Sequence, residues 1–371
     1  MPGGDRLQAG LDRPGRLGGQ RAQAGQVVLR RVPPPAPDLK AARFAFPPRL
    51  RPSSLSTVQV SFVIPLFNCL ELTRTCVQSL QRTIPAGLPH EIILIDDGST
   101  DGTREWLATL APPFRVILNE RNLGYAGANN RGVAAACGEE LVLLNNDLEF
   151  TPRWLEPMRM LRQALGSRAG VIGNVQLNAR TGAVDHVGMT INAKGKPTHR
   201  TDLDALEAWW RGHRIVPAVT AACIVIGRDL WTQLGGFDEG FHNGGEDVDL
   251  CFRAAALGRV NAVALRSVIR HHVSSSPGRK LRDEQNSYRL ARRWRAELAA
   301  LAAEEWCRAY LLREWGRTTG GARISEAWAG ILFSAGIQTT VPAFVKAGVE
   351  TSLEQEFARW REFFPDVTDP V

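Results

Sequence analysis

The sequence is missing several things, and each absence narrows the reading. No window of about eighteen uninterrupted apolar residues occurs in the 371 residues, so no membrane-spanning helix is expected. Residues 327–345 come nearest, but Gln338, Thr339, Thr340 and Pro342 interrupt them, which reads as a packed or interfacial helix. The six cysteines (Cys69, Cys76, Cys137, Cys223, Cys251 and Cys307) show no C-x-x-C spacing. They lie within apolar patterns, as reduced core cysteines do. The start, Met1-Pro2-Gly3-Gly4-Asp5, runs into Arg- and Gly-rich sequence with no apolar signal region, so a cytoplasmic setting is expected, with the inner membrane face as a further option. No internal repeat is visible.

Charge is abundant but uneven. The net charge is +7, and residues 1–57 hold nine arginines and Lys40 against Asp5, Asp12 and Asp38, which accounts for all of it. With nine of the 22 prolines, this segment reads as a largely disordered tail with a possible contact to anionic lipid or an acidic partner. The islands Val27-Val28-Leu29 and Phe44-Ala45-Phe46 could add an edge strand. The rest of the chain is formally neutral, so the high isoelectric point does not indicate a nucleic-acid-binding face.

From residue 58 the pattern alternates strand and helix. Expected strands are 58–66 (ended by Pro65), 91–95, 115–118 and 141–144. Expected helices are 70–80, 101–110 and 124–137, the last rich in small residues that let it lie close to a sheet. Such alternation predicts a mostly parallel sheet covered on both faces. Beyond Pro152 follow a helix at 154–165, a strand at 170–177, a further hairpin strand at 185–191 and a polar, turn-rich stretch at 193–214 with Trp209-Trp210. A strand at 219–226, short helix at 228–234, helix at 246–257, strand at 260–265 and long helical region at 283–315 complete the pattern.

Acidic residues cluster where these strands end. Ile92–Ile95 runs into Asp96-Asp97-Gly98-Ser99, Leu141–Leu144 runs into Asn145-Asn146-Asp147, and Gly244-Gly245 precedes Glu246-Asp247-Val248-Asp249. The carboxyl ends of parallel strands are where open α/β sheets bind ligands. Three such carboxylate groups could hold a nucleotide, a divalent metal and a reacting hydroxyl.

In their order, these motifs resemble family 2 glycosyltransferases of the GT-A fold, in particular a bacterial rhamnosyltransferase-like branch. The resemblance rests on Val60–Asn68, Ile95–Thr103, Arg121–Gly132, Leu144–Asp147, Gly235–Glu239 and Gly245–Leu250, and covers roughly residues 58–275. It implies a GT-A domain at 58–275 with a Rossmann-like central sheet, followed by a helical extension at 276–371. It also implies an inverting transfer of sugar from a UDP- or dTDP-linked donor to a glycan or lipid-linked hydroxyl, in polysaccharide synthesis.

The resemblance also assigns roles. Asp147 is the expected ligand for Mn2+ or Mg2+. Asn145 stands where the family often has a first aspartate, so His271, with His272 behind it, is expected to complete the site. Pro65, Phe67, Asn68, Asp96, Asp97, Arg121, Asn122, Gly124, Asn130 and Asn146 are expected around the nucleotide sugar, although Asp96 could instead cap the following turn. Asp247 is the expected general base, with Glu246 beside it raising its pKa. Gly236, Phe237, Asp238 and Asp249 are expected on the acceptor side, with an acidic helix N-terminus stabilised by the macrodipole as the other reading of Asp249. A binder without turnover is the alternative from a different class; it would be signalled by loss of Asp147 or Asp247, and both are present. A nucleotidyltransferase would need a triphosphate-gripping loop after the first strand, which is not seen.

Overall fold

The computed structural model describes residues 58–272, 279–315 and 324–365. The basic N-terminal segment, with its expected disorder and edge-strand islands, lies outside them.

A ten-stranded mixed sheet forms the centre. Its first half is built from β1 (Val60–Leu66), α1 (Leu70–Thr83), β2 (His90–Asp96), α2 (Thr103–Leu107), β3 (Phe114–Leu118), α3 (Gly124–Ala135) and β4 (Glu140–Leu144). Strands β1, β2, β3 and β4 are mutually parallel, with Val60 opposite both His90 and Glu140. Then come β5 (Leu148–Phe150), α4 (Leu155–Leu165), β6 (Ala169–Asn178), β7 (Val184–His186), β8 (Met189–Ile191), β9 (Pro197–His199), α5 (Ala205–Trp210) and β10 (His213–Ile215). The last group is β11 (Cys223–Gly227), α6 (Arg228–Leu234), α7 (Glu246–Ala256), β12 (Val260–His271), α8 (Arg279–Arg293), α9 (Arg295–Trp315), α10 (Ile324–Ser334) and α11 (Ala343–Phe363). The strand order is β10-β12-β6-β11-β4-β1-β2-β3, with β5 on β12 and β7 on β6.

Strand alternation divides the core in two. Phe62, Ile64, Leu66, Ile92, Leu94, Val142 and Leu144 face one layer with Trp154. Val63, Ile93, Ile95, Leu141 and Leu143 face the other, with Val133, Val248 and Leu250. Successive side chains of a strand point to opposite faces, so a strand buried on both must be apolar throughout. Helix α3 lies close on the second face: a Cβ at Gly132 would come within 2.6 Å of Val63 and Ile95, which explains its small residues. The helices expected as a C-terminal extension share this second core through Leu298, Cys307, Val349, Leu353 and Trp360.

Four expectations change. Pro65 does not end the first strand; it is buried within β1, where pairing with β4 has already stopped at Val63 and an absent N–H costs no bond on that side. Leu148–Phe150, between the expected strand at 141–144 and the helix expected at 154–165, is itself a strand antiparallel to β12, which runs to His271 instead of ending at Leu265. The span 185–191 is split between β7 and β8 around Gly188 (φ +102°). Region 283–315 is two helices broken at Trp294. Among the described residues no helix is long and apolar enough to cross a membrane.

Candidate functional site

One edge of the sheet gathers the expected residues. The parallel run of β1, β2 and β4, continued through antiparallel β11 to β6 and β12, puts the carboxyl ends of β4 and β12 on the same side. Asp147 and His271 thus meet: His271 Nε2 lies 3.3 Å from Asp147 Oδ1, and the His272 backbone N–H donates to the Asp147 carbonyl at 2.9 Å. Asp185 stands behind, 3.8 Å from His271 Nδ1. Asp147 Oδ1 and His271 Nδ1 are buried without a hydrogen-bond partner, as is Asn145 Oδ1. Buried polar atoms are normally satisfied, so an orphaned carboxylate oxygen facing an imidazole fits a hard or borderline cation that is held by a few protein ligands and completed by phosphate and water. No group of three or more His, Cys, Asp or Glu among the described residues forms a self-sufficient metal cage.

The nucleotide-side residues divide. Phe67 and Asn68 follow β1 in a strained turn, with Asn68 and Cys69 both at positive φ. Phe67 is half exposed, while Asn68 is latched to the next loop: Ser99 Oγ accepts from its N–H, and Asn68 Oδ1 accepts from Thr100 N. Asp97 is buried and accepts from Asn119 Nδ2, Leu123 N and Gly124 N, so it organises the loop carrying exposed Arg121 and Asn122. Asp96 accepts from Gly98 N, Ser99 N and Arg104 Nε. Fully buried, it is a turn and cap residue with no surface for a nucleoside, as its alternative reading had it. Asn146 reaches Thr73 Oγ1 at 2.9 Å and braces the start of α1. Asn130 is displaced from its expected place: it grips the 236–237 turn, accepting from Phe237 N and donating to Phe237 O and Glu239 Oε1.

The third cluster opens α7. Gly244 and Gly245, at φ +149° and +90°, and Asn243 at +56° turn the chain so that Glu246 and Asp247 fall in the first helical turn. Asp247 Oδ2 accepts from Ala221 N at 3.2 Å and Oδ1 from Val248 N at 2.8 Å. Burial raises its pKa above the ordinary aspartate value, against the lowering effect of those two N–H groups and of His199. Burial, not the adjacent Glu246, is thus the leading cause. Glu246 folds back onto Gly244 N at 2.7 Å. Tyr125 Oη donates to the Ala221 carbonyl, tying α3 to this strand end.

Two acceptor-side expectations do not fit. Asp249 is fully buried and bonded to Arg253 Nε, Trp294 Nε1 and Arg293, so it belongs to the acidic first turn of α7 and its packing and does not face an acceptor. Asp238 accepts from Gly240 N and pairs with Arg289 and Arg293, which pull its pKa down against burial. Gly236 and Phe237 are buried, Phe237 edge-on to Trp231. What sequence reading missed are His186 and His199, whose rings meet beside Thr220-Ala221. They are the last residues of two short strands, Val184–His186 and Pro197–His199, which local pattern in the sequence does not delimit.

Residues 61–201 match the family described as Glycosyl transferase family 2. The chain is 33% identical over 247 residues to the O-antigen biosynthesis protein RfbC of Myxococcus xanthus, covering 62% of this chain and 18% of that protein. It is 27% identical over 219 residues to an N-acetylglucosaminyl-diphospho-decaprenol L-rhamnosyltransferase of Mycobacterium tuberculosis, covering 52% and 69%. The chain therefore spans less than a fifth of the length of RfbC. The crystal structure of GalNAc-T7 with UDP, GalNAc and Mn2+ superposes with a TM-score of 0.53 at 19% identity, over 83% of this chain and 59% of that one. The fold is GT-A.

Proposed function

We propose that this chain, whose residues 61–201 match glycosyl transferase family 2, transfers a sugar from a nucleotide-diphosphate sugar to a hydroxyl acceptor with inversion. The observation that carries the reading is the convergence, at the carboxyl edge of one sheet, of the orphaned Asp147–His271 pair and a half-buried carboxyl, Asp247, held by backbone N–H groups.

Asp147 and His271 would hold the divalent cation, Mn2+ or Mg2+. Bound there, it would neutralise the leaving diphosphate. Phe67, Asn68 and the Arg121–Asn122 loop braced by Asp97 would border the nucleoside of a UDP- or dTDP-sugar. Asp247 would take the proton of the attacking hydroxyl, since its raised pKa makes it a stronger base than an exposed aspartate. A single base with no covalent intermediate gives inversion. The decaprenol-linked substrate named for the mycobacterial relative supports a glycan or lipid-linked acceptor.

A panel of UDP- and dTDP-sugars, assayed with Mn2+ for thermal stabilisation and hydrolysis, tests the reading. One donor should stabilise and be hydrolysed, and Asp147→Ala should abolish both the metal dependence and the stabilisation while unfolding near the wild-type temperature. Stabilisation by no donor, or unchanged metal-dependent hydrolysis in Asp147→Ala, would overturn it.

A further inference from the structure

The hairpin of β8 and β9, with β7 before it, brings two histidines against the strand end that holds Asp247. His186 is fully buried, and its Nδ1 lies 3.2 Å from His199 Nδ1, the rings meeting edge to face at 4.9 Å between centroids. On its other side, His186 Nε2 lies 3.4 Å from the Thr220 backbone N–H. The next backbone N–H, that of Ala221, donates to Asp247 Oδ2. Two successive peptide groups thus anchor the histidine pair and the carboxylate to one point.

The tautomers follow from the donors. A backbone N–H can only donate, so His186 Nε2 accepts. A neutral imidazole carries one proton, so His186 Nδ1 holds it and donates to His199. His199 Nδ1 is then the acceptor, and its outer nitrogen, Nε2, carries an N–H. His186 is neutral because burial, with His199 and His271 nearby, drives its pKa well below the ordinary value. His199 itself is exposed.

We propose that His199, held in one tautomer by His186, is an acceptor-positioning residue that donates its Nε2–H to a hydroxyl of the incoming sugar alongside Asp247. The inference rests on the reading of Asp247 as the base. A sugar acceptor carries several hydroxyls, and a single carboxylate cannot select one. A second, fixed donor near the base would set which hydroxyl is presented. Mutual geometry supports the pairing, since the successive N–H groups of Thr220 and Ala221 hold His186, and through it His199, and Asp247 at one point of the chain. His186 contributes through His199 and touches no substrate.

The test uses the full-length protein with Mn2+, the donor found in the panel, and p-nitrophenyl glycosides of glucose, galactose and rhamnose as acceptors. His199→Ala should raise the acceptor KM about tenfold, the scale of one lost hydrogen bond, with kcat changed by less than about threefold. His199→Gln, which restores a donor, should recover most of the loss. His186→Phe should reproduce the KM of His199→Ala, and the double variant should be no worse than either. An unchanged acceptor KM in His199→Ala overturns the proposal, as does an equal fall in kcat, unfolding temperature and donor stabilisation without rescue by Gln. If no donor binds the wild type, the glycosyltransferase reading fails separately. Imidazole 15N NMR at pH 7 still judges the pair: a neutral Nδ1–H tautomer at His186 is expected, and an Nε2–H tautomer or a charged ring overturns it.

Discussion

The indole N–H of Trp294 donates to Asp249 at 2.9 Å, joining the first turn of α7 to the junction between α8 and α9. The helix that presents Asp247 is therefore tied, two residues later, to the C-terminal helices. Asn286 of α8 adds a second tie by exchanging two hydrogen bonds with the backbone of His242, at 3.1 Å each. The C-terminal helices buttress the loop that carries the candidate base.

Asp249→Ala should destabilise the protein by about 2–4 kcal/mol, because it takes the buried carboxylate from the part-buried guanidinium of Arg253, which keeps its bond to the Leu234 carbonyl, and from the Trp294 N–H. Urea unfolding measures this. A loss below about 0.5 kcal/mol would mean that the tie is dispensable.

Asp247→Asn should cut transfer by roughly two to four orders of magnitude, the scale of a lost general base. Stability should move the other way. A carboxyl whose folded pKa is raised contributes stability below its unfolded pKa and loses it as pH rises through the folded value. At neutral pH the ionised wild type bears that cost and the amide does not. Asp247→Asn should therefore melt at or above the wild-type temperature at pH 7, with the difference shrinking toward pH 4. A lower melting temperature at pH 7 would show that the N–H bonds from Ala221 and Val248 outweigh burial.

Glu284 of α8 sits among Lys196, Arg359 and the Trp360 indole, and those contacts overcome burial to hold its pKa at about 2. A depressed carboxylate contributes stability above its unfolded pKa and loses it as pH falls through the folded value. Glu284→Gln should therefore be less stable than wild type at pH 7, with the gap closing between about pH 4.5 and 2. Melting curves across that window check it, and a gap independent of pH would remove the ion cluster as its cause.

Gly236→Ala should cost about 1–3 kcal/mol, since φ is +75° and a Cβ would lie 2.6 Å from Asn130 Oδ1. The added methyl pushes apart the contact by which Asn130 grips Phe237. Asn130→Ala, which removes that oxygen, should relieve part of the penalty in the double variant. Strict additivity would place the strain in the backbone alone.

The sequence by itself determined the parallel half of the sheet, because strands buried on both faces must be largely apolar, and Val60–Leu66 (Ser61 aside), Ile92–Ile95 and Leu141–Leu144 are. It also located the acidic clusters, since Asp96-Asp97, Asp147 and Glu246-Asp247 interrupt or cap those apolar patterns. The division of labour among the polar residues was decided only by the tertiary structure. Asp97 and Asp96 are adjacent, yet one faces the 119–124 loop and the other is sealed beneath Arg104. Asp247 and Asp249 lie on opposite sides of α7, and only the arrival of Trp294 and Arg293 marks the second as structural. Asn130 looked like a nucleoside contact until the fold brought Phe237 to it, and His186 and His199 gained meaning only when two short strands set them 3.2 Å apart. Periodicity records which face of an element is buried, whereas the partner of a polar side chain comes from a distant stretch of chain that local pattern cannot register.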